Sequence, residues 1–165
     1  MRRGTTIPAA KRALVDLITA RLGSTARVLY SRPRDGYETQ ADDGAFARVH
    51  IDPVANCSYV IPFVTGGPLT VDETYTLPIV IRVTSDSDDL ESCDIAAAEL
   101  AHGVIAAIAQ KPSLGFDVDN DEQLLVFFAR PASGSHTSID IGDGNAVFGT
   151  NHVIDVVVTA RLTLS

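Results

Sequence analysis

The segment Val-Ile-Asp-Val-Val-Val-Thr-Ala-Arg-Leu-Thr-Leu, residues 153–164, carries the clearest strand pattern in the chain. Apolar residues recur at every second position from Ile154 to Leu164, with Asp155 and Arg161 among the positions between them. Because successive side chains of a strand point to opposite faces, this predicts a strand with one face on the core. At about 3.3 Å per residue it would extend about 40 Å. The radius of gyration expected for a domain of this size is only about 15 Å, so we expect part of the strand to project towards a neighbour.

Other strands are predicted upstream. Apolar alternation over 75–83 predicts a strand half-covered by a helix layer, and Pro78 within it favours an edge position or the start of the pairing. Three further strands are predicted at 27–31, 46–51 and 124–129. The third is predicted to be central because its apolar run is continuous. Residues 52–72 contain three prolines and two glycines, which predicts one irregular strand and a loop.

Two amphipathic helices are also predicted. The first opens at Pro8, after threonines that can cap it, and ends at Gly23. The second follows an acidic segment and runs to about Gln110, before Pro112. Its main apolar stripe consists of Leu90, Cys93, Ala97, Leu100, Val104 and Ile108. The whole pattern predicts a single α+β domain of residues 1–165, with a mixed, mainly antiparallel sheet and two helices packed on one face.

Two regions are candidates for contact with another subunit. The side of the second helix opposite its main stripe carries Ile95, Gly103 and Ala106, where small residues permit close approach, although alanine can also serve only as a helix former. Residues 131–151 are rich in Gly, Ser, Asp and Asn, which predicts a long flexible loop. The apolar residues of that segment that could dock on a neighbour are Ile139, Ile141, Val147 and Phe148.

The charge balance limits the classes of partner. Thirteen Lys and Arg against 21 Asp and Glu leave a net charge of -8, so the surface as a whole repels phosphate backbones. Eight of the basic residues lie within the first 34 positions, where they form either a local positive patch for an acidic partner or a solvated helix face. Hydrophobic residues at 45% and charged residues at 21% are typical of a globular protein.

Cysteine and hydropathy patterns bear on the compartment. Cys57 and Cys93 are far apart and form no zinc or C-x-x-C pattern, which favours a reducing compartment. No apolar region follows the basic start of the chain, and no stretch approaches the roughly 20 apolar residues of a membrane span. We therefore expect a protein that is cytosolic where it is made and has no membrane partner.

Metal-binding motifs are incomplete in this sequence. Asp117, Asp119 and Asp121 match the first three ligand positions of a calcium loop. Glu122 stands where that loop needs glycine, and Phe128 where it needs a bidentate carboxylate, so we interpret the segment as a solvated acidic turn. The Asp and Asn residues of 140–145 suit either a weak site for a hard cation or a turn.

Catalytic motifs are not found either. The sequence has no G-x-S-x-G elbow, no phosphate-binding glycine loop, and no spacing motif among its four histidines, His50, His102, His136 and His152. Ser135 and His136 are interpreted as a polar loop tip, and His102 as a helix-surface residue. We therefore expect no enzymatic activity, no catalytic residue, no cofactor and no metal.

The order of the predicted elements resembles that of the tail-terminator (tail-completion) proteins of long-tailed bacteriophages. Three segments carry the resemblance: Ile-Pro-Ala-Ala-Lys-Arg-Ala-Leu (7–14) at the start of the first helix, Tyr-Thr-Leu-Pro-Ile-Val-Ile (75–81) before the second, and residues 153–164 at the end of the sheet. The resemblance covers nearly the whole chain. It implies a structural virion subunit that assembles with itself into a ring of six copies on the end of the tail tube.

Such a ring would stop tube polymerisation and join the tail to the head, so the implied partners are the tail tube protein and the head-side connector protein. DNA would pass through the lumen without specific binding, which an acidic subunit favours. The implied location is the virion tail, after assembly in the host cytoplasm. Two alternatives remain: another neck or tail structural protein, such as a head-completion or tube subunit, or a monomeric ligand-binding or enzymatic α+β domain with a lined pocket.

The incomplete metal motifs lead to a first prediction. Purified protein is expected to contain no stoichiometric zinc or calcium, because neither the cysteine spacing nor the acidic turns supply a full ligand set. Elemental analysis after gel filtration measures this directly. One equivalent of either metal per chain would overturn it.

Overall fold

Two helices lie on a six-stranded sheet in the computed structural model, which describes residues 4–33, 46–62, 65–85, 90–117, 124–140 and 148–164. The helices are α1 (Ile7–Leu22) and α2 (Leu90–Gln110). The strands are β1 (Arg27–Leu29), β2 (Phe46–Ile51), β3 (Ala55–Val60), β4 (Leu69–Ser85), β5 (Leu124–Asp140) and β6 (Phe148–Leu164). The predicted α+β class, with a mixed, mainly antiparallel sheet and two helices, is confirmed.

The sheet is organised around the pair β4 and β6. Its strand order is β1-β2-β4-β6-β5, and β3 pairs with β4 on the same side as β2. β4 and β6 run antiparallel without a register break from Leu69 opposite Leu164 to Ser85 opposite Phe148. The short pair β1 and β2 is parallel, and the other pairs are antiparallel. The two central strands therefore set the position of every neighbouring strand.

The core lies between the sheet and the helices. Alternate residues of β4 and β6 face α2, and the fully buried ones include Leu77, Ile79, Ile81, Val156 and Val158. The predicted stripe of α2 packs on them: Cys93, Ala97, Val104 and Ile108 are each at most 2% exposed, Leu100 is 9% exposed, and Leu90 is partly buried against the core. This packing supplies the hydrophobic free energy that the binary patterns of strand and helix anticipate.

A buried carboxylate anchors the start of α1. The backbone N–H of Thr6 donates to Glu73 Oε2 at 2.7 Å, and the Thr6 hydroxyl donates to the same oxygen at 2.5 Å. The hydroxyl of Tyr75 lies 3.0 Å from Thr6 Oγ1, and burial raises the pKa of this phenol. Thr6 itself makes no side-chain cap to the helix. The carboxylate from β4 instead satisfies a free amide at the positive end of α1.

The prediction of an edge position or a pairing start for Pro78 is wrong, because β4 is a central strand. Pro78 lies where the neighbour of β4 changes. β2 pairs with β4 from Ile79 towards the C-terminal end of β4, and β3 pairs with β4 from Thr76 towards its N-terminal end. The carbonyl of Pro78 accepts a hydrogen bond from Asp52 N at 2.9 Å. In an antiparallel ladder the N and O atoms of one residue point to the same side. The ring nitrogen therefore faces the segment linking β2 to β3, where no ladder bond is required.

The prediction that 131–151 is a loop is wrong for most of its length, since β5 continues to Asp140 and β6 begins at Phe148. Ile141 and Val147 lie outside the described residues. The continuation was hidden because register shifts at 126–128 and 131–133 break the alternation. In addition, Gly134 is required by close packing: a Cβ there would lie 2.7 Å from the carbonyl oxygen of Val153. Small polar residues on an edge strand thus mimic the composition of a loop.

The expectation that no stretch is apolar enough for a membrane span needs correction at α2. This helix has 21 residues and meets the length and hydropathy of a span. Seven of its residues are buried against the sheet and α1. A core helix of a globular domain passes the same test, and the packing accounts for its apolar stripe.

Burial on the two sides of α2 generates the second prediction. Val104 is fully buried and Ile95 is 53% exposed. Val104→Asp places an unpaired charge in the core and is expected to lower the free energy of unfolding by about 3–5 kcal/mol. Ile95→Asp is the matched control on the same helix and should change it by less than about 1 kcal/mol. Urea unfolding followed by circular dichroism distinguishes them, and equal losses for both variants would contradict the observed orientation of α2.

Candidate functional site: the surface between α2 and the distal hairpin

The outer side of α2 borders an open groove beside β5. Ile105, which is 37% exposed, lies on this side, and Ile95, which is 53% exposed, lies on the outer face of the same helix. The groove has a volume of about 490 Å³ and is lined by Ile105, residues 131–136, His152 and Ile154. We call this set, together with the outer face of α2 that carries Ile95, the hairpin groove. It combines two exposed isoleucines with the backbone of an edge strand.

The prediction that residues 124–129 form a central strand is wrong, because β5 comes last in the strand order. In the part of the chain that the structure describes, the outer edge of β5 is covered near its start. After α2, the chain folds back so that Ala129 N donates to the Pro112 carbonyl at 2.7 Å and Val126 N donates to the Phe116 carbonyl at 3.1 Å. Residues 132–138 are all exposed, and in the described part of the chain β5 pairs with β6 alone. An exposed strand edge presents backbone groups that can pair with another chain.

A polar cluster joins α2 to residues 133–138 of β5 and 149–153 of β6, which we call the distal hairpin. The carboxylate oxygen Oδ1 of Asp94 accepts from the hydroxyl of Thr150 at 2.6 Å and from that of Ser138 at 3.1 Å. It also lies 3.1 Å from Nε2 of His136. Nδ1 of His136 is in turn 3.1 Å from Nδ1 of His152. We call these five residues the Asp94 cluster.

Strand register brings the two histidines together. His136 and His152 are direct cross-strand partners on β5 and β6, and their rings meet edge to face with centroids 5.3 Å apart. Asp94 is an acceptor when ionised, so Nε2 of His136 carries a proton. The Nδ1···Nδ1 contact holds one proton between the two rings, because one nitrogen donates and the other accepts.

The electrostatics of the cluster favour an ionised Asp94 and a neutral His152. Hydrogen bonds from Thr150, His136 and Ser138, of which that from Thr150 is the strongest cause, lower the pKa of Asp94. Burial lowers the pKa of His152, and the nearby His136 and His102 lower it further. At neutral pH the cluster therefore contains one fixed negative charge bound by three donors.

Catalytic chemistry would require a nucleophile at the His152 end of this chain of contacts. Both hydroxyl groups of the cluster, those of Ser138 and Thr150, donate to the carboxylate at the other end. Within the described residues no group of three or more His, Cys, Asp or Glu side chains is placed to hold a metal. The arrangement is suited to fastening three elements together.

The residues predicted to contact another subunit differ in location and burial. Ile95 is exposed, and Ala106 is half-buried. Gly103 faces the inside of the chain, where a Cβ would lie 3.1 Å from Leu22 Cδ2, so its small size serves the contact between α1 and α2. Ile139 and Phe148 lie on β5 and β6, near the end of the described hairpin, in place of the predicted loop.

The sequence interpretation missed the Asp94 cluster. Its members come from α2, β5 and β6, and two of them, Asp94 and Thr150, are 56 residues apart along the chain. His136 is a strand residue and not part of a polar loop tip, whereas His102 is exposed on α2 as predicted. Only the strand register pairs His136 with His152, and that register depends on two bulges that the sequence pattern conceals.

Several basic residues near the N-terminus bind within the chain. The ammonium group of Lys11 lies 4.3 Å from the centroid of the Tyr30 ring, and the guanidinium of Arg12 lies 5.0 Å from it. Lys11 is 8% exposed, and burial lowers its pKa. Arg32 pairs with Asp52 at 3.2 Å. These contacts give part of the basic cluster an intrachain role beside the solvated one.

A second exposed apolar patch lies at β3, at the edge of the sheet opposite β5. It consists of Tyr59, Val60, Ile61 and Leu69, which are between 51% and 68% exposed. We call it the β3 patch. β3 pairs only with β4 among the described strands, so its outer edge is also open in that part of the chain.

Comparisons with known proteins give little further information. No protein-family model matches the sequence, and no curated protein matches it. Among solved structures, the chain is similar to one described as "Virion of native gene transfer agent (GTA) particle", with a TM-score of 0.43 and 11% sequence identity over 95% of this chain and 99% of that chain. Similarity at this level carries no argument about what the chain does.

The Asp94 cluster generates the third prediction. Asp94→Ala removes the acceptor of the fully buried Thr150, so the free energy of unfolding at pH 7 is expected to fall by about 1–3 kcal/mol. Asp16→Ala, which removes an exposed carboxylate of α1, is the control and should change it by less than about 0.5 kcal/mol. Thermal and urea unfolding measure both variants. Equal stability of Asp94→Ala and wild type would show that the cluster does not fasten the hairpin.

Proposed function

We propose that this chain is a structural virion subunit that forms a closed head-to-tail ring, of six copies, on the end of a phage tail tube, where it stops tube polymerisation and joins the tail to the head connector. Two different exposed apolar surfaces carry the proposal. They are the hairpin groove beside β5 and the β3 patch at the opposite edge of the same sheet. A ring of identical subunits uses two different complementary patches on each copy.

Both surfaces have the composition of a contact region. The four residues of the β3 patch are uncharged, and residues 131–138 of β5 contain no Asp, Glu, Lys or Arg. Interface cores are depleted in charge, and neighbouring copies that each carry a net charge of -8 must meet where their charges are fewest. These two regions of low charge on an acidic subunit therefore support contact between copies of this chain.

The resemblance of the element order to tail-terminator proteins supplies the tail-specific part of the proposal. The strand lengths agree with it. β4, β5 and β6 each have 17 residues, which corresponds to about 56 Å of extended chain, against about 32 Å for the 21 residues of α2. The strands are thus longer than the helix that covers the sheet, which supports contact of the sheet ends with a neighbouring subunit.

The proposal includes the absence of enzymatic activity and of a cofactor. The Asp94 cluster supports it, because its hydroxyl groups are bound to the carboxylate and not to the histidine that a nucleophile would need. DNA would cross the lumen without specific contact, since the net negative charge disfavours phosphate binding.

The fourth prediction concerns ring closure. Ile95→Asp and Tyr59→Asp change one surface each, and either alone is expected to convert a ring into monomers or short open chains, because every contact repeats the same two patches. Sedimentation velocity measures the size distribution. Six copies would carry about six times the charge of -8, so the runs use moderate salt, at which self-repulsion is screened.

Ala20→Asp is the matched control, because it introduces the same carboxylate on the exposed side of α1. It should leave the size distribution unchanged. Identical distributions for wild type, Ile95→Asp and Tyr59→Asp would remove both patches from the interface. Electron micrographs of isolated tail tubes mixed with the protein separate a terminator, which decorates tube ends, from a tube subunit, which decorates or extends the whole tube.

A further inference from the structure

The contact between His136 and His152 has a limited capacity for protons. Four ring nitrogens are involved, and two of them, the Nδ1 atoms, face each other at 3.1 Å. With one proton between these atoms the contact is a hydrogen bond. With a proton on each, two N–H groups would point at one another and the contact must break.

We propose that the Asp94 cluster is an acid-released clasp that holds the distal β5–β6 hairpin on α2 and lets it open when both histidines become charged. The first added proton is tolerated. It makes His136 an imidazolium that donates to Asp94 through Nε2 and to His152 through Nδ1, which turns the 3.1 Å contact with Asp94 into an ion pair. The second added proton puts like charges directly opposite each other on paired strands.

The surroundings of His152 favour opening at the second proton, because the carboxylate of Asp94 contacts His136. From α2, Asp94 faces His136, and His102 lies near enough to His152 to lower the pKa of His152. From β4, the residue paired with His152 is Ile81, and the neighbouring residues on that face, Ile79 and Val83, cannot ionise. From β5 and β6, Ser138 and Thr150 are neutral and already bound to Asp94.

The direction of the pH effect follows from the protonation states. The pKa of His152 is lower in the folded chain than the ordinary value of 6.5, so the open state binds protons more readily. The clasp therefore contributes fully above about pH 6.5, and its contribution is lost as the pH falls below that value towards the folded pKa. Asp94 stays ionised throughout this window, because its own pKa is lowered from 3.8.

The clasp lies on the same surface as the hairpin groove, of which His136 and His152 are members. Its opening is a property of the single chain and needs no partner. The inference can therefore be tested on the variant Ile95→Asp, which we expect to form no closed ring, and this separates it from the proposal that the chain forms a ring.

The fifth prediction is a loss of hydrogen-exchange protection in the distal hairpin on acidification. Amides of 133–138 and 149–153 are measured by mass spectrometry at pH 7.0 and 5.0, with correction for the intrinsic pH dependence of exchange. One proton changes an opening equilibrium by at most tenfold per pH unit. We expect protection to fall about tenfold, within the hundredfold limit for two units, while amides of β2 keep their protection.

Two variants test the cause. His152→Gln keeps a polar partner for His136 but cannot become charged, so its protection should change by less than about twofold between the two pH values. His102→Gln removes only a neighbouring charge and should still show most of the wild-type loss. An unchanged protection in the Ile95→Asp background, or a loss of the same size in His152→Gln, would overturn the proposal. Nuclear magnetic resonance titration of the His152 side chain gives an independent check, because its pKa should lie below the ordinary value of 6.5.

Discussion

The antiparallel pairing of β4 with β6 is the constraint on which the rest of the structure depends. Seventeen residue pairs follow one another without a register break. A shift by one residue would turn every side chain of β6 to the other face of the sheet. Ile154 and Val156 would leave the core, and Thr150 and His152 would lose Asp94 and His136. The core under α2 and the polar cluster at its edge are thus two results of one register.

Each helix is also fastened to the sheet by one carboxylate. Glu73 of β4 holds the amide and the hydroxyl of Thr6 at the start of α1, and Asp94 of α2 holds hydroxyl groups of β5 and β6. Hydrophobic packing is not directional, whereas these hydrogen bonds fix where along the strands each helix begins. The carboxylate of Glu73 is buried, whereas that of Asp94 is about one-third exposed. A change in solvent pH therefore acts more directly on the contact at the hairpin.

Much of the fold was predictable from the sequence because apolar periodicity reports directly on burial. The β2 boundaries, the stripe of α2 and the alternation in β6 all agree with the structure. The position of Pro78 was predicted wrongly because its effect depends on which strand lies beside it. The change of neighbour from β2 to β3 is a tertiary feature. Residues 131–140 were predicted wrongly as a loop, because bulges interrupt the alternation of this edge strand and close packing requires Gly134 within it. The Asp94 cluster could not be predicted at all, since it combines three elements through a register that only the folded sheet defines.

The functional account rests on surfaces and not on a reactive centre. An acidic subunit exposes Ile95 and Ile105 on α2 and Tyr59, Val60 and Ile61 at β3, and these two regions suit repeated contact between copies. The most direct test is the mass of the wild-type particle by light scattering at high protein concentration and moderate salt. The account predicts a closed assembly of six 17.5 kDa chains, roughly 105 kDa, whose mass does not rise further with concentration. A mass that stays at that of one chain under all these conditions would contradict it.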